Sequence, residues 1–290
     1  PCGGDSGLRD RPNWCNVPVK PVSPGAQSPM PKFAANLSMM FQELEFLERF
    51  EAAAEAGFRA VEFLFPYEHA AAELRRRLDR FGLQQVLFNL PPGDWAKGER
   101  GLSIFPERED EFAASLARAL DYAAALSCPQ VHVMAGVVPP SLDREEAART
   151  YVANLRSAAG KAKARGVRLL IEPLNTRDMP DYFLTSAEQA RLVIEEVGSD
   201  NLFLQMDLYH AQIMGGDLAE RTKLHWPLIR HFQIAGVPGR HEPDVGEINY
   251  PYLFDLIDGL GYDGWIGCEY RPRGPTLDGL GWVRRYGIGG

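Results

Sequence analysis

The chain has 290 residues, enough for one large α/β domain with a well-buried core. Its formal charge of −8 argues against a nucleic-acid partner, because a phosphate backbone needs a basic face. No run of 18 or more apolar residues occurs, so no membrane span is expected. Four cysteines without a CxxC spacing indicate neither a disulfide framework nor a structural zinc site, which suits a reducing cytoplasm.

Residues 1–29 are rich in Pro and Gly, lack periodicity and contain no long apolar stretch of the secretory kind. They read as a disordered extension ahead of a start at Met30, and the fold is expected over 30–290. From Lys32 onward, short β-rich runs alternate with helical stretches, the pattern of a parallel sheet with crossover helices. The candidate strands are 32–39, 60–65, 85–90, 130–136, 168–175, 202–210, 229–236 and 264–270. Helical patterns occupy 44–57, 70–82, 109–127, 143–166 and 185–198. Several end in Gly, and Ser186 or Thr185 ahead of Glu188 resembles an N-cap with its returning acid. Eight such units in roughly 240 residues is the arithmetic of a (β/α)8 TIM barrel, an α/β fold in a single domain. A doubly wound sheet would place a Gly-rich phosphate turn after its first strand, which ANLSMMF lacks.

Four late apolar runs each end in a metal-ligand type of side chain: LLIEPLN at Glu172, LFLQMDLYH at Asp207, RHFQIAG at Gln233 and WIGCEY at Glu269. They recur every 26 to 36 residues, the length of one strand-helix unit. An unpaired carboxylate in a buried strand costs several kcal/mol unless a cation or hydrogen bonds offset it. In a barrel the strand ends converge on one mouth, so three acids and an amide there read as a single site. Oxygen donors of this kind suit a hard divalent ion, Mg2+ or Mn2+, and no organic cofactor is called for. Arg177 and Arg271 are the cations nearest in sequence that could pin the glutamates instead. In the first half, Glu62, Asn89 and His132 also stand at strand ends and are expected to line the pocket opposite the metal. Two loops are long: 90–109, with Trp95, Lys97 and Arg100, is long enough to cover the mouth, and 235–252 carries Arg240, His241 and Glu242.

The strings FAANLSMMF, FRAVEFLFPY, IEPLNTRDMP, QMDLYHAQ, QIAGVPGRHEPDVGEINYPYLF and GYDGWIGCEYRPRG together resemble hydroxypyruvate isomerase, over nearly all of 30–287. That family belongs to the xylose-isomerase-like TIM barrels, alongside 2-oxo-tetronate isomerases and ketose 3-epimerases. The resemblance implies a divalent metal on Glu172, Asp207, Gln233 and Glu269, with Glu172 and Glu269 as the catalytic pair. Epimerase relatives usually carry His at the strand-seven ligand, so Gln233 favours the hydroxypyruvate or tetronate side. The implied reaction interconverts hydroxypyruvate and tartronate semialdehyde by proton transfer through an enediolate; the alternatives are a 2-oxo-tetronate isomerase or a ketose 3-epimerase. The resemblance also supports His210 as a hydrogen-bonding partner of a substrate oxygen. Arg240 is expected to take the carboxylate of a small anionic 2-oxo acid through a forked contact, with His241 and Glu247 following in the same loop and Asp178 behind the site. A DNA-repair endonuclease on a related barrel would need several clustered zinc-binding histidines, and the six histidines here are scattered. A homo-oligomer is compatible with the sequence.

Overall fold

A computed structural model describes residues 31–289. The reading of 1–29 as disordered lies outside the described residues. Eight strands follow in order: β1 Lys32–Asn36, β2 Ala60–Glu62, β3 Gln84–Leu87, β4 Gln130–His132, β5 Arg168–Ile171, β6 Leu202–Asp207, β7 Ile229–Ile234 and β8 Trp265–Cys268. All pair in parallel, in the spatial order β3-β2-β1-β8-β7-β6-β5-β4. The ring closes between β3 and β4 by bonds at their C-terminal ends. His132 N–H donates to Phe88 O and Leu90 N–H to His132 O, both at 2.9 Å. The expected barrel is therefore present, and Asn89 and His132 sit on its seam.

The helices on the outside are α1 Arg49–Glu55, α2 Ala71–Phe81, α3 Glu109–Leu126, α4 Arg144–Ala164, α5 Ala187–Val197, α6 Leu208–Met214, α7 Leu218–His225 and α8 Tyr250–Gly259. Asp143 caps α4 by accepting the Glu145 and Glu146 N–H groups at 3.0 Å, which satisfies donors that a helix start leaves bare. Ser186 caps α5, but the returning group is Gln189, whose Oε1 accepts from Thr185 N–H at 3.0 Å. Glu188, expected in that role, pairs with Arg221 at 2.7 Å instead.

The candidate strands ran longer than the ladders because the apolar pattern continues past the last paired residue into the mouth. The run 202–210 divides at Asp207, whose carboxylate accepts Tyr209 N–H at 2.8 Å and so ends β6 and starts α6 in one step. At the end of the described chain, Trp282 packs edge-on against Phe33 of β1 with ring centroids 5.2 Å apart.

The core of the barrel departs from the usual filling of branched aliphatics. Glu62, Gln85, Gln130, Gln205, His231 and Gln233 are all buried. Such groups persist in a core only when hydrogen-bonded: Gln85 donates to Leu87 O at 2.7 Å, and the other five are joined into a network beneath the mouth.

Candidate active site

The C-terminal strand ends open into a cavity of about 580 Å³. Glu172 stands one residue beyond β5 and Glu269 one beyond β8, while Asp207 closes β6. Each follows an apolar run whose pairing drives it inward, so all three acids are buried. One ligating atom from each of Glu172, Asp207, Glu269 and His210 lies within 4.8 Å of all the others. Burial penalises the charged carboxylates most. It raises Asp207 to about 6 and Glu269 to about 8 despite the attraction of Arg240 in both cases. Burial, reinforced by the charges of Glu269 and Asp207, holds Glu172 well above the usual carboxylate range. Its Oε1 is buried without a hydrogen-bond partner. A buried cluster of three acids with an orphaned oxygen fits a small divalent cation.

His210 fills a different role. The backbone N–H of Asn175 donates to its Nδ1 at 3.1 Å, and the Asn175 side-chain amide lies 2.6 Å from the same nitrogen. A lone pair must therefore face them, which puts the ring proton on Nε2. Burial, then Arg240 and His132, holds the ring well below its ordinary pKa, so it is neutral. Its Nε2–H, 3.5 Å from Asp207 Oδ2, is a donor facing the acids and not a lone pair for a cation. His132 on the seam is neutral as well, lowered to about 3 by burial and the nearby His231. Its Nδ1 is 3.2 Å from Asn89 Oδ1 and 3.6 Å from Glu172 Oε2, while Nε2 is buried without a partner. Both Asn89 and His132 line the cavity.

Gln233 pairs in register with Asp207, so the two residues share one level of the barrel. Its Oε1 accepts from Gln205 Nε2 at 2.6 Å and its Nε2 donates to Glu62 at 2.8 Å. Glu62, expected to line the pocket, does not: it is 1% exposed and takes part in the network beneath. A strand-end position does not reveal depth, and β2 delivers this side chain to the core.

Arg240, expected to be free for a substrate carboxylate, reaches into the acids. It bonds Asp207 Oδ2 at 3.3 Å and makes a short contact with Glu269 Oε2, and its guanidinium lies 4.9 Å from the centroid of the Tyr209 ring. Burial opposes its charge, but Glu269, Asp207 and Glu172 more than offset that, and its pKa rises. Arg177 and Arg271 form no ion pair with the glutamates among the described residues. In the same loop His241 approaches Arg271 O at 2.8 Å and Glu247 accepts from Gln212 at 3.1 Å; neither lines the cavity. Asp178 does line it, accepting the Tyr209 hydroxyl at 2.8 Å and the Asn175 amide at 3.1 Å. Trp95 reaches the rim from the long loop after β3, with Arg100 stacked 3.6 Å from its ring centroid.

Sequence reasoning missed Gln205 and Asn175. Gln205 was detectable: it lies two residues before Asp207 on a strand, where side chains return to the same face. Asn175 carried no signal, since its partner His210 is 35 residues away.

The family model of the xylose isomerase-like TIM barrel matches residues 50–286. The chain is 60% identical to a 2-oxo-tetronate isomerase of Cupriavidus necator over 89% of this chain and 99% of that one. It is 46% identical to a hydroxypyruvate isomerase of Escherichia coli, over 89% of this chain and 100% of the relative. A solved Brucella melitensis structure described as AP endonuclease, family 2, superposes with a TM-score of 0.87 at 52% identity, covering 89% of this chain and 99% of that one.

Proposed function

Given that this chain belongs to the xylose isomerase-like TIM barrel family, we propose that it is an isomerase of small hydroxylated 2-oxo acids, assisted by a divalent cation held on Glu172, Asp207, Gln233 and Glu269. The observation that carries the reading is the buried cluster of three acids, one with an orphaned oxygen and two of them lining the cavity. A Mg2+ or Mn2+ ion bound there supplies Lewis acidity to the adjacent carbonyl and hydroxyl oxygens of the substrate.

The chain's own groups move the proton. For a 2-oxo acid with a hydroxyl on the next carbon, removing the C3 proton gives an enediolate; returning a proton at C2, while the C3 hydroxyl proton passes to the C2 oxygen, leaves the carbonyl at C3 and the hydroxyl at C2. Glu172 and Glu269 are the pair for these two transfers, because two carboxyl groups in one buried cluster do not readily carry charge together. His210 donates Nε2–H to the developing oxyanion; a neutral donor does so without quenching the neighbouring base. His132 offers its unpartnered Nε2 to a substrate hydroxyl. Arg240 balances the acids where it stands, and with a cation among them it is free to turn to the substrate carboxylate.

The 60% relative favours 2-oxo-tetronate as substrate, ahead of hydroxypyruvate, which the 46% relative supports. This reverses the order expected from the sequence. An endonuclease reading, as the Brucella description would suggest, is disfavoured by a site with one directly clustered histidine, itself a donor, and by a chain of charge −8. The test is kcat/KM on 2-oxo-tetronate, hydroxypyruvate and a neutral ketose with Mn2+ present. Turnover confined to the ketose, or absent on all three, would refute the assignment.

A further inference from the structure

Beneath the candidate cation site, Glu62 organises a set of buried groups that includes one proposed ligand, Gln233. Its Oε1 accepts from Gln233 Nε2 at 2.8 Å and Asn36 Nδ2 at 3.0 Å. Asn36 Nδ2 also lies 3.3 Å from Glu269 Oε1. Glu62 Oε2 is 2.7 Å from His231 Nε2, and on the far side of that ring Gln130 Nε2 is 3.3 Å from Nδ1. The Gln130 amide donates to Nδ1, so the His231 proton sits on Nε2 and points at Glu62. Three donors converge on one carboxylate with no arginine or lysine among them. Space is kept for it: a Cβ on Gly267 of β8 would collide with both carboxylate oxygens.

An amide ligand has an ambiguity that a carboxylate lacks. Gln233 can serve a cation only through Oε1; turned over, it presents an NH2 group and repels. A carboxylate is an acceptor only, so the group facing Glu62 must be the NH2. We propose that Glu62 is a positioning residue that locks the Gln233 amide with its NH2 turned inward, so that Oε1, which accepts from Gln205 Nε2 through one lone pair, keeps its second lone pair for the divalent ion. The inference rests on the proposed cation site and adds the reason that an amide works as a ligand there. Glutamine at position 62 could face Gln233 with either its oxygen or its NH2, which would release the lock while nearly preserving volume.

Mn2+ binding to metal-stripped full-length protein, followed by the electron paramagnetic resonance of free Mn2+, tests this. Partners behind metal ligands typically govern 10- to 100-fold in affinity, so Glu62→Gln should weaken Mn2+ by about ten-fold or more. Turnover should recover substantially at saturating Mn2+, a split that simple loss of structure would not give. In a Gln233→Ala background the same substitution should cost much less, because there is no amide left to orient. Should Glu62→Gln fail to fold by circular dichroism, Glu62→Asp, which withdraws the oxygens from Gln233, is read in its place with a several-fold weakening expected. Wild-type binding with unchanged affinity in the folded variant, or losses that multiply in full in the double variant, would overturn the proposal alone. No Mn2+ binding by wild type would overturn the cation site and this inference with it.

Discussion

Replacing Glu172 by glutamine should stabilise the metal-free protein while weakening its hold on a divalent ion. Two like charges 4.8 Å apart, the outer limit of the cluster, repel by about 3.5 kcal/mol at an effective dielectric of about 20. If the carboxyl takes up a proton instead, keeping it at pH 7 against an ordinary value of 4.5 costs about 3 kcal/mol, at roughly 1.4 kcal/mol per pH unit. Either route costs the fold a similar amount, and attraction to Arg240 returns part of it. The isosteric amide removes the charge, so a net gain of about 1–3 kcal/mol is expected, or about 2–8 °C in Tm for a domain of this size. Scanning calorimetry of metal-stripped protein at pH 7, with and without Mn2+, measures both effects. Wild type should gain roughly 2.7 kcal/mol at a hundred-fold excess of Mn2+ over its Kd, and the variant far less at the same concentration. A variant with a lower metal-free Tm than wild type, or one that Mn2+ stabilises equally, would show that the acids are not held together against their own repulsion for a cation.

The raised acids also set a pH dependence. Asp207 titrates at about 6 and Glu269 at about 8 in the folded chain, against ordinary values of 3.8 and 4.5. The folded state thus binds more protons than the unfolded one between those limits, and the stability these groups confer, complete below their ordinary values, is lost as pH rises through 6 to 8. The Tm of metal-free Glu269→Gln should therefore climb relative to wild type from pH 5 to 8, as calorimetry would show; a constant difference would contradict it. Arg240→Ala should destabilise the metal-free protein by about 3–5 kcal/mol, since it leaves two buried acids uncompensated. Added Mn2+ should recover much of that loss in a thermal melt, while KM for the oxo acid rises. His210→Asn should lower kcat by about 100-fold through loss of an oxyanion donor. The shape of the kcat–pH profile should stay the same, because the ring is already neutral across the working range.

Much of this architecture is legible in the chain because barrel strands are buried on both faces and read as unbroken apolar runs. The spacing of Glu172, Asp207, Gln233 and Glu269 equals one strand-helix unit for the same reason. What the linear pattern hides is depth and pairing. Glu62 and His132 both stand at strand ends, yet one is sealed in the core and the other borders the cavity. The apolar residues after Asp207 continue the run, so α6 is invisible until the carboxylate is seen capping it. In the linear sequence Arg240 belongs to a polar loop, but that loop folds back and brings it against acids 29 and 33 residues away. The tautomer of His210 depends on Asn175, and no local spacing announces that contact.

The most direct test of the central claim is the rate of carbonyl shift in 2-oxo-tetronate, followed by separation of the 2-oxo and 3-oxo isomers, for metal-stripped protein with and without Mn2+ beside Glu269→Gln. Metal-dependent interconversion by wild type that is lost in the variant is the predicted result. Equal rates in the stripped and the loaded protein, or undiminished turnover in Glu269→Gln, would contradict a mechanism in which a cation and the glutamate pair act together on a 2-oxo acid.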